Sequence, residues 1–197
     1  MKKTYTKTTV TEEPKLVIWY DEMPESPREW SNLGYFITVD SNYYSPDREE
    51  TLERIVKETG QIANSQVEHI KLIKSDMKAQ FDDKVLAIYP ISKYEHSGVA
   101  YSLGNRHGFD YSNNGFYIVT ENKAKEIGAE KKDFEKIIKS ELENYNRYAN
   151  GEVYGFTLYD DDGEVIDSCS GFFDVEDIRE SLPDEWKDED LDEYVKN

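Results

Sequence analysis

KVLAIYPISKYEHSGVAYSLGNRHGFDYSNNGFYIVT, residues 84–120, decides the reading of this chain. It opens on the apolar run Val85, Leu86, Ala87, Ile88 and closes on another, Phe116, Tyr117, Ile118, Val119. Short apolar runs rich in β-branched and aromatic residues predict buried strands. Between them lies a polar, glycine-bearing segment holding His96, Ser97, His107, Asp110, Ser112, Asn113 and Asn114. Two buried strands with a polar crossing between them mark the place where a mixed α+β domain would build a site.

Upstream, LVIWY at 16–20 and 35–39 predict two further strands, separated by the proline-bearing loop DEMPESPREWSNLG, 21–34. Each proline fixes its own φ and restrains the residue before it, so this loop should be ordered. Residues 45–81 form a helical insertion. Ser45 is the expected N-cap with Pro46 in the first turn, and Leu52, Ile55, Val56, Thr59, Ile62 and Ala63 recur at helical spacing. Ser65 with Glu68 forms a capping box for a second helix bearing Val67, Ile70, Ile73 and Met77. His69 on this segment reads as a surface residue. Residues 1–14 read as either an edge strand or a frayed terminus.

Downstream, 122–127 predicts a short helix closed by Gly128, and 132–148 a long amphipathic one ended by Asn150-Gly151. Strands at 153–159 and 164–170 flank Asp161-Asp162-Gly163, which predicts a type I′ hairpin. A short helix over 174–182 stops before Pro183. The segment 174–197 carries 11 Asp/Glu against 3 Lys/Arg, interrupted by Trp186, Leu191, Tyr194 and Val195, a pattern that predicts part of it packing as an amphipathic helix. With no repeat and no low-complexity linker, these elements predict a single α+β domain over 1–197. It would hold a mixed or mainly antiparallel sheet with helices packed on one face.

Composition narrows the function. A net charge of −18 over 197 residues opposes direct contact with nucleic-acid phosphates or an anionic membrane. The single cysteine, Cys169, rules out an intramolecular disulfide framework and fits a reducing, cytoplasmic setting. No apolar run approaches membrane-spanning length, and the start lacks the apolar core of a secretory signal.

Chemistry has four candidate seats. Cys169 would be a nucleophile with His96 or His107 as base and Asp110 as orienter, against the plainer reading of a small buried thiol. His96, His107 and Asp110 have no spacing typical of a metal site, and neither a metal nor a cofactor is expected. Arg28, Glu29 and Trp30 would bind a ligand's polar group, or pin their loop through an Arg–carboxylate pair and a buried indole. Last come the acids: Asp160, Asp161 and Asp162 at a hairpin tip, and Asp184, Glu185, Asp188, Glu189 and Asp190 in the C-terminal segment. Carboxylates held on a folded scaffold can imitate a phosphate track and occupy the basic groove in which another protein holds nucleic acid. The alternatives are a solvated face that keeps the chain soluble, or a small enzyme or ligand-binding protein built on His96, Asp110 and Cys169.

PESPREWSNLG (24–34), YPISKYEHSG (89–98), FDYSNNGFYIVT (109–120), NYNRYANGEVYGF (144–156) and GEVIDSCSGFF (163–173) together resemble a family of small acidic phage and mobile-element proteins. The resemblance covers 16–173 and leaves 45–81 as an insertion. Family members carry Asp where this chain has Ser31, and read W-D-S-G-Q-x-G-F where it has Phe109 and Tyr111. The resemblance brings no activity or assigned residues. It implies a setting in which small acidic proteins disarm host defence, and so a partner that is a host defence protein or nucleoprotein with a basic groove, of the anti-CRISPR or anti-restriction kind.

Overall fold

The computed structural model describes residues 15–39 and 45–196. The strand-or-frayed alternative for 1–14 lies outside them. The fold is α+β with mainly antiparallel pairing, and its strands divide into two four-stranded sheets rather than one. Each sheet belongs to its own compact unit, one formed by 25–150 and the other by 15–24 with 151–196.

The larger unit contains β2 (Gly34–Thr38), α1 (Glu50–Ile62), α2 (Gln66–Gln80), β3 (Val85–Glu95), β4 (Val99–Leu103), β5 (Tyr111–Thr120), α3 (Glu121–Glu126) and α4 (Phe134–Ala149). Its sheet runs β2-β5-β3-β4, antiparallel throughout. The stretch 84–120 supplies three of these four strands, because β3 continues to Glu95 and β4 doubles back within the polar segment.

Strand alternation sends successive side chains of β5 to opposite faces. Phe116 and Ile118 join Leu52, Ile55, Val56, Ile73 and Met77, whereas Tyr117 and Val119 join Phe134, Ile138 and Leu142. Helices therefore cover both faces, not the single face the pattern predicts: the 45–81 insertion packs on one and α4 on the other. The capping box at Ser65 is present, its Oγ accepting from the Glu68 N–H at 3.2 Å. Ser45 does not cap a helix. It is buried, its Oγ accepting from the Thr38 N–H and donating to the Phe36 carbonyl, while α1 starts five residues later, at Glu50, behind the N-cap Glu49.

Both edges of this sheet are closed by side chains. On β2, Asp47 accepts from the Phe36 N–H at 2.5 Å and Arg28 donates to the Gly34 carbonyl at 2.8 Å. On β4, Asn146 of α4 and Asn150, the C-cap one turn further on, act as amide clamps. Asn146 Oδ1 accepts from Tyr101 N–H at 2.7 Å and its Nδ2 donates to the Tyr101 carbonyl at 3.0 Å. Asn150 repeats the pair on Val99 at 2.9 and 2.7 Å. An open strand edge is a template for pairing with another chain, and these contacts remove it.

The smaller unit contains β1 (Leu16–Tyr20), β6 (Tyr154–Tyr159), β7 (Val165–Phe172), α5 (Val175–Ile178) and β8 (Val195–Lys196), in sheet order β7-β6-β1-β8. All pairs are antiparallel except β1 with β8. Leu16, Ile18, Phe156 and Leu158 bury one face beneath Val175, Ile178, Leu182 and Leu191. On the other, Trp19 lies over Gly155, where a Cβ would come within 2.5 Å of the indole, and donates its Nε1–H to Thr157 Oγ1 at 3.1 Å.

Candidate functional site

The acidic residues occupy an ordered scaffold. At the β6–β7 turn, Gly163 N–H bonds the Asp160 carbonyl, and Asp160 Oδ1 accepts from the N–H groups of Asp162 and Glu164, both at 2.9 Å. Only Gly163 has a positive φ there (82°), so this is a type I turn followed by a left-handed glycine, not the predicted type I′ turn, which needs positive φ at two residues. Asp160, Asp161 and Asp162 project into solvent around it. Lys15 reaches Asp161 at 2.5 Å, and that hydrogen bond and charge hold its carboxyl below the ordinary range.

The C-terminal acids are held by the apolar residues between them. Leu191 is fully buried, Trp186 meets Tyr194 edge-on, and Val195 adds β8 to the sheet. Short 3₁₀ turns at Asp184–Trp186 and Leu191–Tyr194 replace the predicted amphipathic segment's helix. Arg179, which sequence reasoning passed over, is the clamp. Its guanidinium binds Glu176 at 2.7 and 2.9 Å and donates to the carbonyls of Lys187 at 2.6 Å and Glu189 at 2.9 Å. Asp184, Glu185, Asp188, Glu189 and Asp190 stay exposed.

Charge is divided unequally. Residues 1–24 and 151–197 carry 21 Asp/Glu against 7 Lys/Arg, while 25–150 carry 21 against 17. The smaller unit thus carries −14 of the net −18, and the acids of the hairpin tip and of the C-terminal segment all lie there.

Arg28 is the centre of a buried hydrogen-bond network. Its side chain is 4% exposed and donates all five N–H groups. Asp47 receives two, at 3.0 and 2.7 Å; Glu141, Asn32 and the Gly34 carbonyl receive the others, at 2.9, 2.8 and 2.8 Å. Burial works against the guanidinium charge, but the hydrogen bonds and charge of Asp47 outweigh it and raise the pKa above its ordinary value. Tyr117 Oη donates to Glu141 and accepts from Gly34 N–H. Burial pushes this phenol well above its ordinary range, with Arg28 opposing and Glu141 adding to the rise. Glu29 is exposed and the Trp30 indole is 44% exposed, so the buried-indole expectation fails. No local pattern could have paired Arg28 with Asp47 and Glu141, which are 19 and 113 residues away.

His96 Nδ1 and Asp110 Oδ1 are 3.9 Å apart at the surface, at the turn of the β3–β4 hairpin. His107 is exposed. Cys169 lies in the other unit, exposed on β7 rather than buried. Among the described residues, no three His, Cys, Asp or Glu side chains are grouped to hold a metal. His69, predicted at the surface, is half-buried. Its Nε2 lies 2.9 Å from the Val56 carbonyl and its ring meets Phe116 edge-on.

Two open grooves mark the larger unit. One, of about 1210 Å³, is lined by Arg54, Lys57, Glu53, His69 and Asn113. The other, of about 590 Å³, is lined by Arg28, Asp47, Arg48, Lys123 and Tyr145. Both mix charges of both signs. No helix among the described residues is long and apolar enough to cross a membrane.

No family model, no curated protein and no solved structure matches this chain.

Proposed function

We propose that this protein is an acidic interaction protein that occupies the positively charged, nucleic-acid-binding groove of a host defence complex and blocks it. The observation that carries the proposal is the segregation of charge onto one ordered unit, with the Asp160–Asp162 tip and the Asp184–Asp190 segment both exposed and both fixed by backbone and side-chain bonds. A flexible acidic tail would lose conformational freedom on docking, whereas a held array has already lost it. Affinity would come from the desolvated charge contacts and from counterions released by the partner's groove. The resemblance to phage and mobile-element proteins directs the choice of target toward defence complexes.

Capture from a bacterial lysate on the tagged protein tests this. A nucleic-acid-binding complex should be retained at about 0.1 M NaCl and released at about 1 M, where the screening length falls from roughly 10 Å to roughly 3 Å. Nucleic acid should displace it competitively. Converting Asp160–Asp162 and Asp184, Glu185, Asp188, Glu189 and Asp190 to their amides should abolish retention, while His96→Ala and Cys169→Ala leave it unchanged. Retention indifferent to salt and to nucleic acid, or an empty capture, overturns the proposal.

A further inference from the structure

Both edges of the larger sheet are closed, but among the described residues β7 leaves one edge of the smaller sheet open. The phase of the pairing identifies the open groups. Tyr159 N–H bonds the Lys15 carbonyl and Asp21 N–H bonds the Val153 carbonyl, so the odd-numbered residues of β6 turn their backbone toward β1 and the even-numbered ones toward β7. Phe156 and Leu158 therefore bond Cys169 and Asp167, their register partners, and Ser168 and Ser170 turn their backbone N–H and C=O outward. Among the described residues, the bonds to these outward groups come from β7 itself. Asp167 Oδ1 accepts from Ser168 N–H at 2.8 Å, and the Cys169 thiol reaches the Ser170 carbonyl at 3.7 Å.

We propose that this edge is a docking strand for an extended, Lys/Arg-bearing segment of a partner protein, which would add to the sheet beside β7. Three observations favour that occupant. The run Ser168-Cys169-Ser170 has small side chains that leave the backbone accessible, and residues 165–171 are all exposed. Val165 and Ile166, 59% and 60% exposed, offer apolar contact at one end. From Asp160 to Ser170 the hairpin carries five acids and no base, so a cationic strand is attracted and a second copy of this chain is repelled. An incoming carbonyl takes the Ser168 N–H from Asp167, and the released carboxylate is then free to meet a cationic side chain of the added strand. Backbone bonds supply the pairing and charge selects the sequence.

The proposal stands apart from groove occupation, and the test keeps them apart. The full chain is titrated with a nine-residue peptide alternating lysine and valine, and amide hydrogen exchange is read by NMR. The peptide should slow exchange at Ser168 and Ser170 and leave Asp167 and Cys169, already bonded to β6, unchanged. The same peptide methylated on alternate backbone nitrogens, or the Ser170→Pro variant, should weaken binding by about tenfold or more, the loss expected for one or two strong backbone bonds. A glutamate–valine peptide should not bind. Amidation of the C-terminal acids, which weakens groove occupation, should leave this binding largely in place. Equal binding of the methylated peptide overturns the proposal in favour of plain charge attraction. Protection at Ser168 and Ser170 that rises with protein concentration alone overturns it in favour of self-association.

Discussion

Arg28 has a donor for every acceptor around it, and removing it would leave two partly buried carboxylates, Asp47 and Glu141, with one cation fewer. A buried ion pair adds little over an apolar substitute, but a broken one strands a charge. Arg28→Met should therefore destabilise the larger unit by about 3–5 kcal/mol, measured by urea unfolding followed at 222 nm. Adding Glu141→Gln should recover part of the loss, because the amide needs no counter-charge. Tyr117 links the same network to pH. Its folded pKa is raised by burial, so below pH ~10 both states keep the proton and the contribution is intact. Above that the unfolded phenol ionises first, and stability falls as pH rises, at up to about 1.4 kcal/mol per pH unit for each such group. Tyr145 is raised by burial in the same way. Stability between pH ~9 and ~11 should decline in the wild type, and Tyr117→Phe should shed about one proton from that slope.

At the scale of elements, the asparagine clamp on β4 explains NYNRYAN. Asn146 on α4 and its C-cap Asn150 stand at i, i+4 and meet alternate residues of the strand, Tyr101 and Val99, matching one helical turn to two strand residues. Asn146→Leu should cost about 1–3 kcal/mol through the groups of Tyr101 it strands, and should speed amide exchange at Tyr101 more than at Val99. The helix itself was legible in the sequence, since its apolar stripe has the right period. The clamp was not, because an exposed polar face on a helix reads as solvated until a strand edge is placed beside it. The same logic separates the other outcomes. LVIWY, the Ser65 cap and the Asp-Gly hairpin are decided by neighbours a few residues away, and each formed. Ser45-Pro46 carries an equally good local helix-start signal, yet the exposed edge of β2 competes for Ser45 and Asp47 and takes them. Of the candidate contact residues, the acids were legible as charge, and their ordering depended on Arg179, whose partners lie beyond any helical or strand period.

Across the whole molecule, the two units differ in charge and in the probes they carry. Trp19 and Trp186 belong to the acidic unit and Trp30 to the other, while α1, α2 and α4 all lie in the larger unit. A Trp30→Phe variant thus reports the acidic unit by fluorescence and the larger one by circular dichroism at 222 nm. With 21 acids against 7 bases, the acidic unit repels itself, and screening relieves that repulsion. In urea, which adds no ions, raising NaCl from about 0.05 M to about 0.5 M should move the fluorescence midpoint upward and the 222 nm midpoint much less. The ordering of the exposed carboxylates is what makes this self-repulsion a fixed cost of the fold, relieved by a cationic surface as well as by salt. If the two midpoints rise together, the charge acts on one cooperative structure rather than on the unit that carries it. If neither moves, the exposed acids are too well solvated to repel one another, and a basic groove would gain correspondingly little by meeting them.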